Sequence, residues 1–195
     1  MQEFILTIDD KILLIINGFN STFLDTAMLY ISSKLGWLPL YLLLLYLVIV
    51  EYKNKFWLVL VMSAVTILIS DQASVHLFKN IFERLRPCHE PDLLNKLHLV
   101  KDCGGSFGFV SSHASNSAAI ATFFILLLGK RFKWIIPIMV IYTLLIMYSR
   151  VYLGVHYPMD VFFGAILGMA VGFGTSFVFR LTNSYLGFFK IFATH

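Results

Sequence analysis

The residues with the greatest chemical capacity in this chain are His156 and Asp160, four positions apart in the run Ser149-Arg150-Val151-Tyr152-Leu153-Gly154-Val155-His156-Tyr157-Pro158-Met159-Asp160. Pro158 suits the first position of a helix, so Asp160 falls in the first turn, where its carboxylate can accept the Nδ1 proton of His156. The other ring nitrogen, Nε2, is then unprotonated and aimed away, as nucleophilic catalysis by histidine requires. Upstream, Gly104-Gly105-Ser106-Phe107-Gly108-Phe109-Val110-Ser111-Ser112-His113 forms a flexible loop that runs into a helix, with Ser111 or Ser112 as its N-cap. Free backbone N–H groups and the helix dipole at such a start favour an anion. His113, on the first turn, is in position to donate a proton to a leaving oxygen. Lys79 and Arg86 lie seven residues apart, on one face if their helix continues through both, with Pro87 ending it, and together they can reach one anion.

Each feature has a plain structural explanation when taken alone. Lys79 and Arg86 can flank a span and snorkel to headgroups. The Ser-rich loop can be an ordinary cap with a glycine hinge, Asp160 a dipole-friendly acid and His156 an interfacial histidine. Convergence decides between the readings, because an ionisable side chain at mid-bilayer costs roughly 2.5 to 3.5 kcal/mol and is retained for a reason. Lys79, Arg86 and Arg150 have too few acids at fixed spacing to neutralise them, so their partner is a multiply charged anion, and phosphate fits.

The elements that must position these residues are membrane helices. Of 195 residues, 58% are hydrophobic and 13% charged, and the mean hydropathy of +0.80 is outside the balance of a soluble domain. Apolar runs predict spans over about 36–50, 56–78, 113–128, 134–148 and 161–179. Residues 1–34 are mixed: Phe23, Leu24, Ala27, Met28 and Ile31 repeat at helical spacing, which predicts an interfacial amphipathic helix that lends length to the short first span and is a candidate sixth. The expected fold is therefore an all-α integral membrane bundle of five or six helices, one domain over 1–195 with interfacial helices at 1–34 and the catalytic bundle at 35–182. Glu3, Asp9 and Asp10 stand where a cleavable signal would have a basic start, so no signal peptide is expected.

Chain reversal puts the connectors at 51–55 and 129–133 on one face and every polar motif on the other. Lys53, Lys55, Lys130, Arg131 and Lys133 occupy the short connectors, and the positive-inside rule assigns them to the cytoplasm and the motif face to the outside. Cys88 and Cys103 bracket a loop on that outer face, where an oxidising compartment favours a disulfide tethering Arg86-Pro87 to the Ser-rich loop, for about 3 kcal/mol. The net charge of +4 is scattered among apolar spans with no basic stripe, which argues against nucleic acid.

In order and spacing, Lys79 to Arg86-Pro87, Ser111 to His113, and Ser149-Arg150 to His156 to Asp160 resemble the three signature blocks of the type 2 phosphatidic acid phosphatase family. With their intervening spans the blocks cover most of the chain from about 56 to 180. The resemblance implies that His156 attacks phosphorus to form a phosphohistidine, that Asp160 orients it, and that His113 protonates the leaving group and then activates water. It assigns Lys79, Arg86, Ser111 and Arg150 to the phosphoryl oxygens, and the amide of Ser112 can add a donor. One departure stands out: the family's Pro-Ser-Gly-His is here Val110-Ser111-Ser112-His113, and the Cβ and hydroxyl of Ser112 bear on substrate choice. Opposed protonation states of the two histidines imply a bell-shaped pH profile. No cofactor is expected, since no His, Cys or carboxylate set has ligand spacing for zinc and the acids are too sparse for magnesium.

The expected partners are the bilayer and a membrane lipid phosphate, and the expected location is a bacterial inner membrane with the site on the periplasmic face. The resemblance brings undecaprenyl diphosphate, lipid A, phosphatidylglycerol phosphate and phosphatidic acid as substrates without ranking them. Alternative readings are a lipid phosphotransferase, a vanadate-dependent oxidase, and an inactive lipid-binding protein. Asp71, an acid inside the second span, is expected to support the site structurally, and Gly164, Gly168, Gly172 and Gly174 to permit close helix packing within or between chains. His76, His89, His98 and His195 carry no assignment. Oligomeric state is not legible.

Overall fold

The structure, a computed structural model, describes residues 2–100 and 102–192, and side chains for 8–100 and 102–184; His195 and the side chain of Glu3 lie outside the described residues. The described chain is helical, with α1 Gln2–Gly18, α2 Thr22–Ser32, α3 Leu38–Tyr52, α4 Phe56–Ser74, α5 Asn80–Phe82, α6 Pro91–Leu94, α7 Ser112–Leu128, α8 Ile135–Tyr152 and α9 Pro158–Phe192. The apolar stretches long enough to cross a membrane are Leu35–Phe82, Ile135–Tyr152 and Pro158–Ser184, and α7 is a shorter apolar helix.

The stretch Leu35–Phe82 folds back on itself at Lys53–Lys55, where Lys53 takes φ 46°. Side-chain contacts fix the reversal. Tyr52 packs edge-on against Phe179, and Lys55 donates to Asn183 at 2.9 Å, so both sides of the turn meet the far end of α9. From there α3 runs to Trp37, which packs on Tyr142 midway along α8, while α4 runs along α9 with Thr66 on Thr175 at 2.8 Å. The apolar core between these helices is built from Leu44, Val48, Val59, Phe123, Leu128, Met139 and their neighbours. Outward-facing Leu42, Trp57, Leu68, Ile141, Leu144 and Phe173 are exposed, as apolar residues facing acyl chains should be.

At the centre, α7 packs on α9 through small residues. A Cβ at Gly164 would lie 2.7 Å from the Ser111 carbonyl oxygen, and one at Gly168 or Gly172 would collide with the carbonyl of Ser115 or Ala119. The glycine stripe therefore serves contact within the chain, and Gly174 faces open space. This brings the start of α9 against the start of α7, where Ser111 N–H donates to the Asp160 carbonyl at 3.0 Å.

Two local features depart from the sequence reading. The second span does not continue as a helix through Arg86. A π-helical turn at Val75–Lys79 leads into α5, Glu83 turns left-handed at φ 45°, and Arg84 to Arg86 are extended, with Leu85 bridged to Phe107. The extended stretch pairs its backbone with the Ser-rich loop: Arg86 N–H donates to Ser106 and Gly108 N–H to Arg84. Second, the N-terminal helices do more than lie at an interface. α1 and α2 meet at 116°, and they send Asp9, Leu13, Asn17 and Met28 into buried positions. Asn17 bonds the carbonyls of Tyr152 and His98, and Asp25 accepts from the Tyr152 hydroxyl.

Candidate active site

Four segments converge at the motif face. His156 follows the end of α8 by a short turn in which Gly154 adopts φ 69°, a conformation open to glycine without strain. Pro158 then starts α9, so Asp160 sits on its first turn with Oδ2 3.4 Å from His156 Nδ1. The same oxygen accepts from Tyr157 N–H at 3.1 Å. His156 is 1% exposed and Asp160 0%. Gly108 allows the approach, because a Cβ there would lie 2.9 Å from Asp160 Oδ2 and 3.1 Å from Arg86 Cγ.

Around this pair stand the cations. Lys79 Nζ donates to Ser112 Oγ at 2.7 Å, and that oxygen lies 2.6 Å from Ser74 Oγ. Arg86 is held by backbone carbonyls, donating through Nη1 to Cys103 at 2.6 Å and through Nε to Phe107 at 3.3 Å. Arg150, at the end of α8 and 8% exposed, donates through Nη1 to Ser32 of α2 at 2.5 Å, while its buried Nε has no partner. Lys79, Arg86 and Arg150 make no ion pair among the described residues. Burial first, and then the field of Arg150, Arg86 and Lys79, push the His156 imidazole well below its ordinary range. It is therefore neutral at physiological pH and can offer a lone pair.

Ser111 is the N-cap of α7, accepting from Ala114 N–H at 3.5 Å, and its own N–H is given to Asp160. The amides left free at this helix start are therefore those of Ser112 and His113, which helix geometry leaves without intrahelical partners. His113, on the first turn of α7, is exposed and lies within the electrostatic reach of His156, Arg150, Arg86 and Lys79. Cys88 and Cys103 are bonded to each other, which pins the turn after Arg86 to the loop whose carbonyls hold it. Their sulfurs, with His89, form the one compact group of three metal-ligand atoms among the described residues, and the bond leaves neither sulfur as a thiolate. Asp71 accepts from Asn116 at 3.3 Å, between α4 and α7, and lies within the electrostatic reach of Lys79.

Two residues unassigned from sequence hold central positions. Arg84 pairs with Asp160 at 3.0 Å and with Asp9 at 2.6 Å. Arg84 lies between Lys79 and Arg86, where an expected helical face hid it. Asp9 gave a signal, an acid beside Asp10 just ahead of the apolar run at 12–16, that bore only on the question of a leader peptide.

A family model, that of the PAP2 superfamily, matches residues 55–183. The chain is similar to a lipid A 4'-phosphatase of Bacteroides thetaiotaomicron, 38% identical over 177 residues, 89% of this chain and 76% of that protein. It is also similar to an undecaprenyl-diphosphatase of Sulfolobus acidocaldarius, 30% identical over 160 residues, 80% of this chain and 71% of that one. Among solved structures, the PAP2-type phosphatidylglycerolphosphate phosphatase of Bacillus subtilis aligns with a TM-score of 0.63 and 27% identity, covering 88% of this chain and 84% of that one.

Proposed function

The chain belongs to the PAP2 superfamily and is a membrane lipid phosphatase, and from that premise we propose that it removes phosphate from a lipid A-type glycolipid through a phosphohistidine at His156. The observation that carries the mechanism is the set of three cations without ion-pair partners among the described residues, one with a buried and unsatisfied Nε, close to a neutral, buried imidazole. Such a site is short of an anion. A phosphoryl group placed against it is held by charge-assisted bonds that strengthen as charge develops in the transition state.

His156 Nε2 attacks phosphorus in line with the leaving oxygen while Asp160 keeps the proton on Nδ1. His113, on the first turn of α7, gives a proton to the leaving oxygen. It then takes one from a water that attacks the phosphohistidine, releasing inorganic phosphate and restoring neutral His156. Lys79, Arg86, Arg150 and the amides of Ser112 and His113 hold the phosphoryl oxygens. Lipid A is favoured by the relative with the highest identity described above, and undecaprenyl diphosphate is the competing substrate. We further place the protein in a bacterial inner membrane with the site facing the periplasm, a reading supported by the lysines and arginine of the two short connectors.

The test is phosphate release from detergent-solubilised protein over lipid A, undecaprenyl diphosphate, phosphatidylglycerol phosphate and phosphatidic acid, with EDTA present. Native protein is expected to release phosphate, lipid A being turned over fastest, and His156→Ala to lose at least about a thousandfold, the scale for removing a nucleophile. An acid-labile phosphoenzyme should be trapped in native protein and not in His156→Ala. Turnover retained by His156→Ala overturns the mechanism, and faster turnover of undecaprenyl diphosphate overturns the substrate.

A further inference from the structure

We propose that Arg84 and Asp9 are positioning residues that fix the Asp160 carboxylate, so that the N-terminal helix α1 completes the site. This rests on the reading of His156 as nucleophile and deepens it. The Arg84 guanidinium is shared between two carboxylates, with Nη1 3.0 Å from Asp160 Oδ1 and Nη2 2.6 Å from Asp9 Oδ2. Both acids are buried, Asp160 at 0% and Asp9 at 2% exposure. The second oxygen of Asp9 accepts Met159 N–H at 2.9 Å, and the guanidinium carbon lies 3.9 Å over the Tyr157 ring. Arg84, Asp9 and their contacts therefore enclose residues 157, 159 and 160, the segment that follows the nucleophile.

The division of oxygens gives the arrangement its meaning. Asp160 has one oxygen for His156 and Tyr157 N–H, and Arg84 takes the other. With Arg84 in place the carboxylate cannot rotate without breaking a charge-assisted bond, so Oδ2 stays on Nδ1 and the attacking nitrogen keeps its lone pair. Arg84 needs a second anion, because the arginine fork has donors in excess of what Oδ1 can accept, and Asp9 supplies it. Asp9 precedes the segment matched by the family model, residues 55–183, so this part of the site lies outside that model.

The experiment uses the full chain with Arg84→Gln, Arg84→Lys and Asp9→Asn, each alone and in an Asp160→Asn background. For Arg84→Gln, kcat is expected to fall about 10- to 100-fold, the range for outer partners that orient a functional histidine, with KM changed by less than about threefold. That loss should vanish when Asp160 is already Asn. Arg84→Lys, with one compact charge for two carboxylates, should restore kcat in part, and Asp9→Asn should give a smaller loss in the same direction. Nitrogen-15 NMR of the His156 ring supplies a readout independent of turnover: Nδ1–H alone in native protein, and a mixture of tautomers in Arg84→Gln. Should Arg84→Gln fail to fold, Asp9→Asn carries both readouts. Unchanged kcat, equal losses with and without Asp160, or an unchanged tautomer in the folded variants overturns the proposal. Native protein that keeps the Nδ1–H tautomer but releases no phosphate overturns the function instead, and the NMR comparison still decides the role of Arg84.

Discussion

At the scale of single residues, one of the two positions that depart from the family pattern, Ser112, touches a cation of the site. Its hydroxyl accepts from Lys79 and lies against Ser74, so it competes with a phosphoryl oxygen for that ammonium. Ser112→Gly restores the family residue and removes that bond. The net worth of one such bond to a charged group is about 1.5 to 3 kcal/mol at most, and Lys79 regains part of it from water or substrate. The expected outcome is a KM for the lipid changed by about 2- to 10-fold with kcat nearly constant, read from steady-state phosphate release. A second prediction concerns His156. Its folded-state protonation is pushed down by burial and then by Arg150, Arg86 and Lys79, whereas in the unfolded chain an imidazole takes up a proton near pH 6.5. Below that pH the unfolded state binds the extra proton and the folded state does not, so stability falls as pH falls, by up to about 1.4 kcal/mol per unit from this group. Above it the group contributes no pH dependence. Thermal unfolding in detergent between about pH 6.5 and 4.5 should therefore be less pH-sensitive in His156→Asn than in native protein, and equal slopes would assign the acid instability to other groups.

At the scale of elements, what the sequence made legible followed from patterns that one helix carries by itself. The apolar runs correspond to α3, α4, α7, α8 and α9, because in a bilayer each helix must satisfy its own backbone and be apolar along its length. His156 and Asp160 could be paired on paper because they sit on one turn and its helix. Arg84 could not. Its partners lie 75 and 76 positions away, and the helical face used to pair Lys79 with Arg86 was broken by the π turn and by Glu83. The loop that replaced it is held by backbone bonds to 106–108 and by the Cys88–Cys103 bridge, which side-chain periodicity does not encode. The glycine stripe on α9 was readable as a packing face, and the structure identifies α7 as what packs there. Gly168→Val tests that contact. The added side chain meets the Ser115 carbonyl and Ala118, so α9 must move away, carrying Asp160 at its start. Overpacking of this kind costs about 1 to 3 kcal/mol. The expected outcome is a lowered thermal midpoint together with a kcat that falls even in the folded fraction. Gly174→Val, facing open space, should change neither.

At the scale of the whole molecule, the arrangement of charge predicts an orientation. The turn Lys53–Lys55 and the stretch containing Lys130, Arg131 and Lys133 lie at the same end of the bundle, since Lys55 reaches Asn183, Arg131 pairs with Glu51 at 3.0 Å and Arg180 donates to the Leu126 carbonyl. The site lies at the other end, at the starts of α7 and α9 and the end of α8. Its cations are committed: Arg84 to two carboxylates, Lys79 to Ser112, Arg86 to carbonyls and Arg150 to Ser32. At the opposite connectors Lys53, Lys130 and Lys133 make no side-chain bond among the described residues, and Lys and Arg near span ends bias which side stays in the cytoplasm. A disulfide at the site end agrees with this, because bonded cysteines persist in an oxidising compartment. Asn54→Cys places an exposed thiol in the Lys53–Lys55 turn and Asp92→Cys one in α6 beside the site. In intact cells a membrane-impermeant maleimide should label Asp92→Cys and leave Asn54→Cys unlabelled until the membrane is opened, while native protein stays unlabelled unless a reductant is added first. Labelling of Asn54→Cys in sealed cells would invert the protein, and the site would then draw its substrate from the cytoplasmic leaflet.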